Sequence, residues 1–212
     1  MWTYEKYEES IRAYLDRGYS VGSFRDYLAN PTIQCVVLRH DIDFDPGLLE
    51  PMLEVERKLG VHSTTFFRVV AKKYNFMSVD IADIVSTIQR AGAEVGLHLD
   101  IGMEKVWGGT AAAAADTQRT VFQETTKARD FGFALHQPGK SSAYGFADTL
   151  AESWGSPYHA YDQLFFRTFK FLSDSGGRWR EGHWSEFVGE HERLQVLTHP
   201  IWHHDGRPQR SF

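Results

Sequence analysis

Short apolar runs and amphipathic segments alternate along this chain. The runs are typical of strands covered on both faces and are predicted at 35–39, 63–70, 94–98, 131–135, 169–172 and 194–197. Segments with apolar residues at helical spacing are predicted at 4–19, 23–28, 46–59, 79–91, 110–130 and 147–153. Strands and helices are therefore expected to follow one another along most of the chain.

The order of these elements predicts an α/β fold. Successive strands are separated by a helix, with about 30 residues per unit, which is the spacing of βαβ crossovers and of a parallel sheet. The length of 212 residues suits one domain better than two. We expect a single domain over 1–212, with 1–30 as an N-terminal helical extension.

Composition narrows the possible functions. The chain has 23 Lys and Arg against 28 Asp and Glu, a formal net charge of −5, and no basic run, which argues against nucleic-acid binding. The single cysteine, Cys35, lies in a predicted strand and is interpreted as a core residue. The N-terminus lacks a signal-peptide pattern, and no apolar stretch is long enough for a membrane span. A cytoplasmic location is the expectation.

Polar side chains follow the predicted strands at their carboxyl ends. They are Asp41, Asp43, Arg68, His98, Asp100, His136, Asp174 and His199. Because parallel strands of a (β/α) barrel end on one face, residues far apart in sequence are expected to meet there in one pocket.

Asp41 and Asp43 are the most informative of these residues. They are two positions apart, so in a strand both carboxylates leave the same face, where they repel unless a cation or a proton intervenes. A cation such as Zn²⁺ takes imidazole and carboxylate ligands and activates water for hydrolysis. The pattern therefore indicates a metal-assisted hydrolase, with Asp43 and His98 at the metal, Asp41 as base and His199 as acid.

Four segments carry a resemblance to a known family. In order they are 38–43 (LRHDID), 64–67 (TTFF), 94–98 (EVGLH) and 197–200 (LTHP), and together they resemble the successive motifs of the polysaccharide deacetylase family. The resemblance is closest to a branch associated with surface-polysaccharide (lipopolysaccharide or capsule) biosynthesis. It implies a distorted, incomplete (β/α) barrel with mostly parallel strands, and de-N- or de-O-acetylation with Zn²⁺ or another divalent metal.

The resemblance also implies residue roles. It makes Asp41 the catalytic base, Asp43 a metal ligand, His98 the first histidine ligand and His199 the general acid. The family's usual second histidine ligand lies four residues after the first, and here that position is Gly102.

Glycine offers no ligand, so the third metal ligand is open. Asp100 is the nearest substitute, and His136 or His199 can take its place. The alternative is that the metal site is absent.

Other residues are candidates for supporting roles. Arg39, Arg68, Arg178 and Arg180 are candidates to neutralise Asp41. Candidates for contact with the substrate are Arg68, His136, Asp174, Trp179 and Trp202. The two tryptophans can wall a sugar or an acetyl methyl group, or can simply pack the barrel mouth.

The preferred hypothesis is a metal-dependent hydrolase that removes an acetyl group from an amide or ester on a sugar, in nucleotide-linked or lipid-linked form, during polysaccharide biosynthesis. One alternative is a metal-free, non-catalytic carbohydrate-binding or scaffold relative of the deacetylases. A second is a hydrolase of another C–N bond in a small molecule.

Overall fold

A computed structural model describes residues 2–139 and 142–205. The strands are β1 (Trp2–Thr3), β2 (Ser20–Gly22), β3 (Cys35–Ile42), β4 (Thr64–Phe67), β5 (Glu94–Asp100), β6 (Phe133–His136), β7 (Lys170–Ser173), β8 (Arg193–Thr198) and β9 (His203–His204). The α-helices are α1 (Tyr4–Asp16), α2 (Phe24–Ala29), α3 (Glu50–Leu59), α4 (Val79–Arg90), α5 (Glu104–Trp107), α6 (Ala111–Thr126), α7 (Ser142–Trp154) and α8 (Gln163–Thr168). Short 3₁₀ turns lie at Pro46–Leu49, Trp184–Phe187 and Pro200–Trp202.

The strands form a curled parallel sheet. Strands β6, β5, β4, β3, β8 and β7 lie side by side in that order, and each neighbouring pair is parallel. Within the described ranges β6 and β7 do not pair with each other, so the barrel is open on one side. The predicted α/β class and incomplete (β/α) barrel are confirmed.

The first thirty residues do more than extend the fold with helices. Strand β2 pairs in parallel with the first half of β3. It lies on the same edge of β3 as β4, which pairs with the second half, because β8 occupies the other edge. Strand β1 pairs with β9 near the other end of the described chain. Helix α2 begins with a capping box between Ser23 and Asp26. The segment expected as a helical extension therefore also contributes a strand to the sheet.

The two faces of β3 have different neighbours. Val36 and Leu38 pack on one side with residues of α1 and α3. Val37 packs on the other side, in an interior cluster with aromatic residues of α2 and α8. Side chains alternate along a strand, so Arg39 and Asp41 follow Val37 on this interior face, and both are buried. The interior of the barrel thus changes from apolar to charged toward the carboxyl ends of the strands.

Among the described helices, none combines the length and the apolar character that crossing a membrane requires.

Candidate functional site

Asp41 is held by the arginine two residues before it. Arg39 donates from Nε and Nη2 to the two carboxylate oxygens at 2.8 and 2.7 Å, and both side chains are buried. Burial alone favours the protonated acid, but the Arg39 guanidinium outweighs it and holds the pKa of Asp41 well below its usual range. Of the arginines that the sequence offered as partners, Arg39 is the one in contact. Asp41 is therefore an ionised, oriented carboxylate.

Asp43 lies at the centre of a cluster of imidazoles. Its Oδ1 is 3.6 Å from Nε2 of His98 and 3.6 Å from Nε2 of His136, and its Oδ2 is 3.8 Å from Nε2 of His199. Nε2 of His98 is also 3.3 Å from Asp41. Strands β3, β5, β6 and β8 supply these residues at or just past their carboxyl ends. The sheet therefore brings Asp41, Asp43, His98 and His199 together, as the strand-end pattern predicted.

The imidazoles of His98 and His136 are oriented by their other ring nitrogens. Nδ1 of His98 donates to the carbonyl of Ala134 at 3.2 Å, and Nδ1 of His136 donates to Asp100 at 2.8 Å. In the neutral tautomer with its proton on Nδ1, an imidazole has a free lone pair on Nε2, and in both residues Nε2 lies 3.6 Å from Asp43 Oδ1. Burial also lowers the pKa of His98, against the opposing effect of Asp41 and Asp43, so this imidazole stays neutral. Neutral imidazoles with free Nε2 atoms are metal ligands.

Asp100 contacts the cluster around Asp43 through His136. It accepts two hydrogen bonds from Arg68, at 2.9 and 2.6 Å, and one from His136. Although burial opposes ionisation, the hydrogen bonds from His136 and Arg68 lower the pKa of Asp100. The sequence suggested Asp100 as third metal ligand and His136 as a substrate contact. In the structure Asp100 supports His136, and His136 joins Asp43 and His98.

His199 follows β8, the strand next to β3, and is hydrogen-bonded to Asp174. Its Nδ1 donates to Asp174 at 2.6 Å, and its backbone N–H donates to the same carboxylate. Nε2 of His203 lies 3.4 Å from the other oxygen of Asp174. Burial opposes protonation of His199, but Asp174 outweighs it and raises the pKa of this imidazole. Asp174, expected as a substrate contact, is fully buried behind His199.

The donor set of this cluster fits a divalent cation. Ligand atoms of Asp43, His98 and His136 lie within 4.8 Å of one another. Tetrahedral zinc with bonds of about 2.0–2.2 Å keeps its ligand atoms roughly 3.4 Å apart, close to the 3.6 Å between Asp43 Oδ1 and Nε2 of each histidine. Among the described residues, Asp43 Oδ1 is a buried acceptor with no hydrogen-bond donor. Such an atom is costly unless something else satisfies it, and a cation does so.

A cleft of about 510 Å³ opens beside the cluster. It is lined by Asp43, Phe44, Arg68, Lys72, Lys73, Asp100, Ile101, His136 and Gln137. This volume lies within the range of small-molecule sites. Arg68, a candidate substrate contact, lines the cleft while its guanidinium is bound to Asp100 and lies 3.6 Å from Asp43.

The two candidate tryptophans lie in different surroundings. Trp179 packs edge-on against Trp2, with ring centroids 6.2 Å apart, and against His183, and it does not line the cleft. Trp202 follows His199 in the 3₁₀ turn and is half-buried. A Cβ atom at Gly177 would be 3.2 Å from the Trp202 ring, so only glycine permits this close packing on the backbone.

Sequence reasoning did not single out Gln137, which lines the cleft, or Tyr74, which connects two strands of the site. Gln137 has a φ of +48°, a left-handed conformation that is unusual outside glycine and more so before a proline. Tyr74 ties the ends of β3 and β4 together, accepting from Arg68 N at 2.8 Å and donating to Ile42 O at 2.9 Å. The dipeptide Gln137-Pro138 was visible in the sequence, but nothing local signals a hydroxyl that bridges two strands.

Comparison with known proteins gives a likeness in structure alone. No family model and no curated protein matches the sequence. A CE4 esterase from Streptococcus mutans superposes with a TM-score of 0.52 at 16% identity, over 87% of this chain and 81% of that one. The catalytic domain of a peptidoglycan N-acetylglucosamine deacetylase from Eubacterium rectale gives 0.52 at 16% identity, over 81% and 79%.

A third solved structure is a CE4 family pseudoenzyme. Wild-type BA3943 from Bacillus anthracis superposes with a TM-score of 0.51 at 14% identity over 81% of this chain. This chain spans 56% of that protein, and 58% of a BA3943 mutant described as having restored enzymatic activity. At identities of 16% or less, these likenesses concern architecture. The chain has the incomplete (β/α) barrel fold of the CE4 deacetylases.

Proposed function

We propose that this protein is a metal-dependent hydrolase that removes an acetyl group from an amide or ester on a sugar. One observation carries the proposal: the Nε2 atoms of His98 and His136 each lie 3.6 Å from Asp43 Oδ1, a buried oxygen without a hydrogen-bond donor among the described residues, next to the ionised Asp41 and beside an open cleft. A structural cluster has no need to leave lone pairs converging on an oxygen without a donor.

Asp43, His98 and His136 are the proposed ligands of Zn²⁺ or another divalent metal. A bound cation of this kind polarises an acyl carbonyl and lowers the pKa of water to about 7. Asp100 and the carbonyl of Ala134 hold the two imidazoles in the required tautomer. His136 on β6 takes the place that the family motif gives to a histidine at the position of Gly102.

Asp41 is the proposed general base. Its carboxylate is ionised throughout the neutral range because Arg39 stabilises the charge, so it is in the form that accepts a proton from the attacking water, and the same charge pairing makes it a weaker base than a free aspartate. The two hydrogen bonds from Arg39 also fix the direction of its oxygens, which reduces the reorganisation that proton transfer needs.

His199 is the proposed general acid. Its Nδ1 proton is held by Asp174, and its Nε2 faces the cluster, so the proton on Nε2 is available for the leaving nitrogen or oxygen. The raised pKa of His199 keeps this proton in place near neutral pH. Base and acid then lie on β3 and β8, which are adjacent strands.

The proposed substrate is an acetylated sugar in nucleotide-linked or lipid-linked form. The solved structures that share the fold include a peptidoglycan N-acetylglucosamine deacetylase, which supports a sugar. The motif resemblance supports surface-polysaccharide biosynthesis as the setting.

Hydrolysis of N- and O-acetylated sugars, with chelator and after zinc is restored, tests the proposal. The purified protein should bind about one metal ion per chain, measured by elemental analysis, and release acetate only when loaded. Asp41→Asn should lower kcat by roughly 10²–10⁴. Asp45→Asn is the matched control, since this exposed carboxylate two residues beyond Asp43 caps a 3₁₀ turn and should leave metal content and turnover unchanged.

Two results would contradict the proposal. Acetate release that survives chelation and Asp43→Asn would remove the metal from the mechanism. A protein that binds no metal after zinc incubation and hydrolyses no acetylated sugar would instead be a non-catalytic relative.

A further inference from the structure

Two lysines of the cleft have no carboxylate partner. Among the other described lysines, Lys6, Lys58, Lys127 and Lys170 each lie against an acidic side chain, whereas Lys105 forms no ion pair with a described residue. Lys72 and Lys73 line the cleft, are exposed, and have no such partner among the described residues. Their charges are therefore available to a ligand.

The two acidic side chains of the same cleft lie against groups other than these lysines. Asp100 is bound by Arg68 and His136, and Asp43 lies within the imidazole cluster with Arg68 nearby. Three cationic side chains against two carboxylates leave one excess positive charge, before any metal is counted. The whole chain carries −5, so this cleft opposes the overall charge. A local field of this sign concentrates anions at the site.

The lysines have a defined position relative to the metal cluster. They lie in the loop 69–73, whose ends are joined by the hydrogen bond from Arg68 N to the hydroxyl of Tyr74. The same hydroxyl donates to the carbonyl of Ile42, the residue before Asp43. Beyond Tyr74, Phe76 is buried and stacks on Phe122 with centroids 5.7 Å apart. The loop is thus tied on its far side to the strand that carries Asp43.

We propose that the cleft selects sugars that carry an anionic group, a carboxylate or a phosphate, which Lys72 and Lys73 bind while the acetyl group lies at Asp43. This inference rests on the proposed function and adds the substrate class to it. The two lysines are specificity residues: each provides a charged hydrogen-bond donor that a neutral sugar leaves unused.

The test compares three substrates: N-acetylglucosamine, N-acetylglucosamine 6-phosphate and N-acetylglucosaminuronate. The native protein should show a kcat/KM roughly ten- to hundred-fold higher for at least one anionic sugar than for the neutral one, the usual strength of charge-assisted hydrogen bonds. The double variant Lys72→Gln/Lys73→Gln should bring that ratio close to one. Comparing the phosphate sugar with the uronate shows whether the lysines prefer a phosphate or a carboxylate.

The matched control is Lys105→Gln/Lys127→Gln, which removes the same total charge from positions that do not line the cleft. It should retain the preference for the anionic sugar. Raising the salt concentration should reduce the preference in the native protein, because the lysines are exposed and their charges are screened.

Calorimetric dissociation constants for glucosamine and glucosamine 6-phosphate give a readout that needs no turnover. Equal binding of the two, or a preference that survives Lys72→Gln/Lys73→Gln, overturns the inference. Hydrolysis of all three substrates at equal rates overturns the inference and leaves the proposed function intact. Tight binding of the phosphate sugar through the lysines without any hydrolysis supports the inference and overturns the proposed function.

Discussion

Each face of β3 carries a cluster of ionisable groups, and the two clusters differ in how far their hydrogen-bonding atoms are satisfied. On the interior face, Asp43 meets imidazole nitrogens but no hydrogen-bond donor for its Oδ1 among the described residues. On the helix-covered face, Glu56 accepts from Tyr7 at 2.7 Å and from Ser63 at 2.8 Å, and its Oε1 lies 2.7 Å from Nε2 of His40. Both clusters combine a carboxylate with histidine.

What separates them is whether the hydrogen-bonding groups are used up. Nδ1 of His40 is 2.6 Å from the hydroxyl of Thr198, so both ring nitrogens have partners inside the protein. His98 and His136 use one nitrogen each and direct the other at Asp43. A satisfied network stabilises the fold, whereas lone pairs that converge without a proton donor are suited to a cation. Variants on the two faces should therefore fail in different ways.

The largest effect is expected from Asp43→Asn. Metal affinity should fall by more than the ~10- to 100-fold that loss of an outer partner costs, because this change removes a ligand. Hydrolysis should fall with it. The free energy of unfolding without metal should change by less than about 1 kcal/mol, since no hydrogen bond to Oδ1 is lost. Metal titration and urea denaturation in chelator measure the two quantities, and a large loss of stability would show that the carboxylate is structural.

Glu56→Ala should reverse that outcome. It leaves His40, Tyr7 and Ser63 without their shared acceptor in a buried site, so unfolding should become easier by about 3–5 kcal/mol. Glu56→Gln, which keeps the shape and one acceptor, is the control and should cost less. Metal bound per folded chain should stay unchanged in both. A loss below about 1 kcal/mol for the alanine variant would mean that this network does not hold β3 to α3.

Asp100→Asn should have a smaller effect on metal affinity. It tests whether Asp100 binds the metal itself or only orients His136. As the partner of Nδ1 in His136, Asp100 should contribute about 10- to 100-fold to metal affinity. Zinc titration against a competing chelator gives the value. If the affinity falls as far as in Asp43→Asn, Asp100 is itself a ligand, as the sequence suggested.

The smallest expected effect concerns a third buried carboxylate, Glu94 at the amino end of β5. It is a change in stability that depends on pH. Burial raises the pKa of Glu94, because its partners Thr64 and the half-exposed Arg25 compensate incompletely. The folded chain then binds this proton more tightly than the unfolded chain, so the associated stability is greatest at low pH. It is lost as the pH rises from the unfolded pKa of about 4.5 through the raised folded value.

Glu94→Gln should remove this loss, so its stability relative to the native protein should rise with pH. Urea denaturation at several pH values measures the trend, with the exposed Glu54→Gln as control. A constant difference across pH would contradict the raised pKa. Asp41, equally buried but paired with Arg39, has its pKa moved in the opposite direction, which shows that the partner decides the direction.

Much of the architecture could be predicted because it depends on local patterns. The strands β3, β5 and β8 and the helices α3 and α4 lie close to their predicted positions. Strand β2 was missed because its three residues, which include Gly22 and lie close to Gly18, are too few to show a period, and α8 was missed because it has only six residues.

The part of the candidate site that lies at strand ends could be predicted from the sequence. Asp41, Asp43, His98 and His199 follow buried runs, and parallel strands bring such positions together. The position of His136 relative to Asp100 could not be predicted, since it depends on the lateral register that pairs these residues across β5 and β6. The choice of Arg39 over Arg68 for Asp41 likewise depends on side-chain conformation in the folded barrel.

The sequence by itself determined where strands and helices form and which residues stand at the strand ends, because hydrophobic periodicity acts over a few neighbouring residues. Only the tertiary structure decided that His136 completes the cluster around Asp43, that Asp100 supports it from behind, and that Lys72 and Lys73 line the same cleft. These contacts depend on the register and the curvature of strands that are far apart along the chain, and no local sequence pattern determines the register or the curvature.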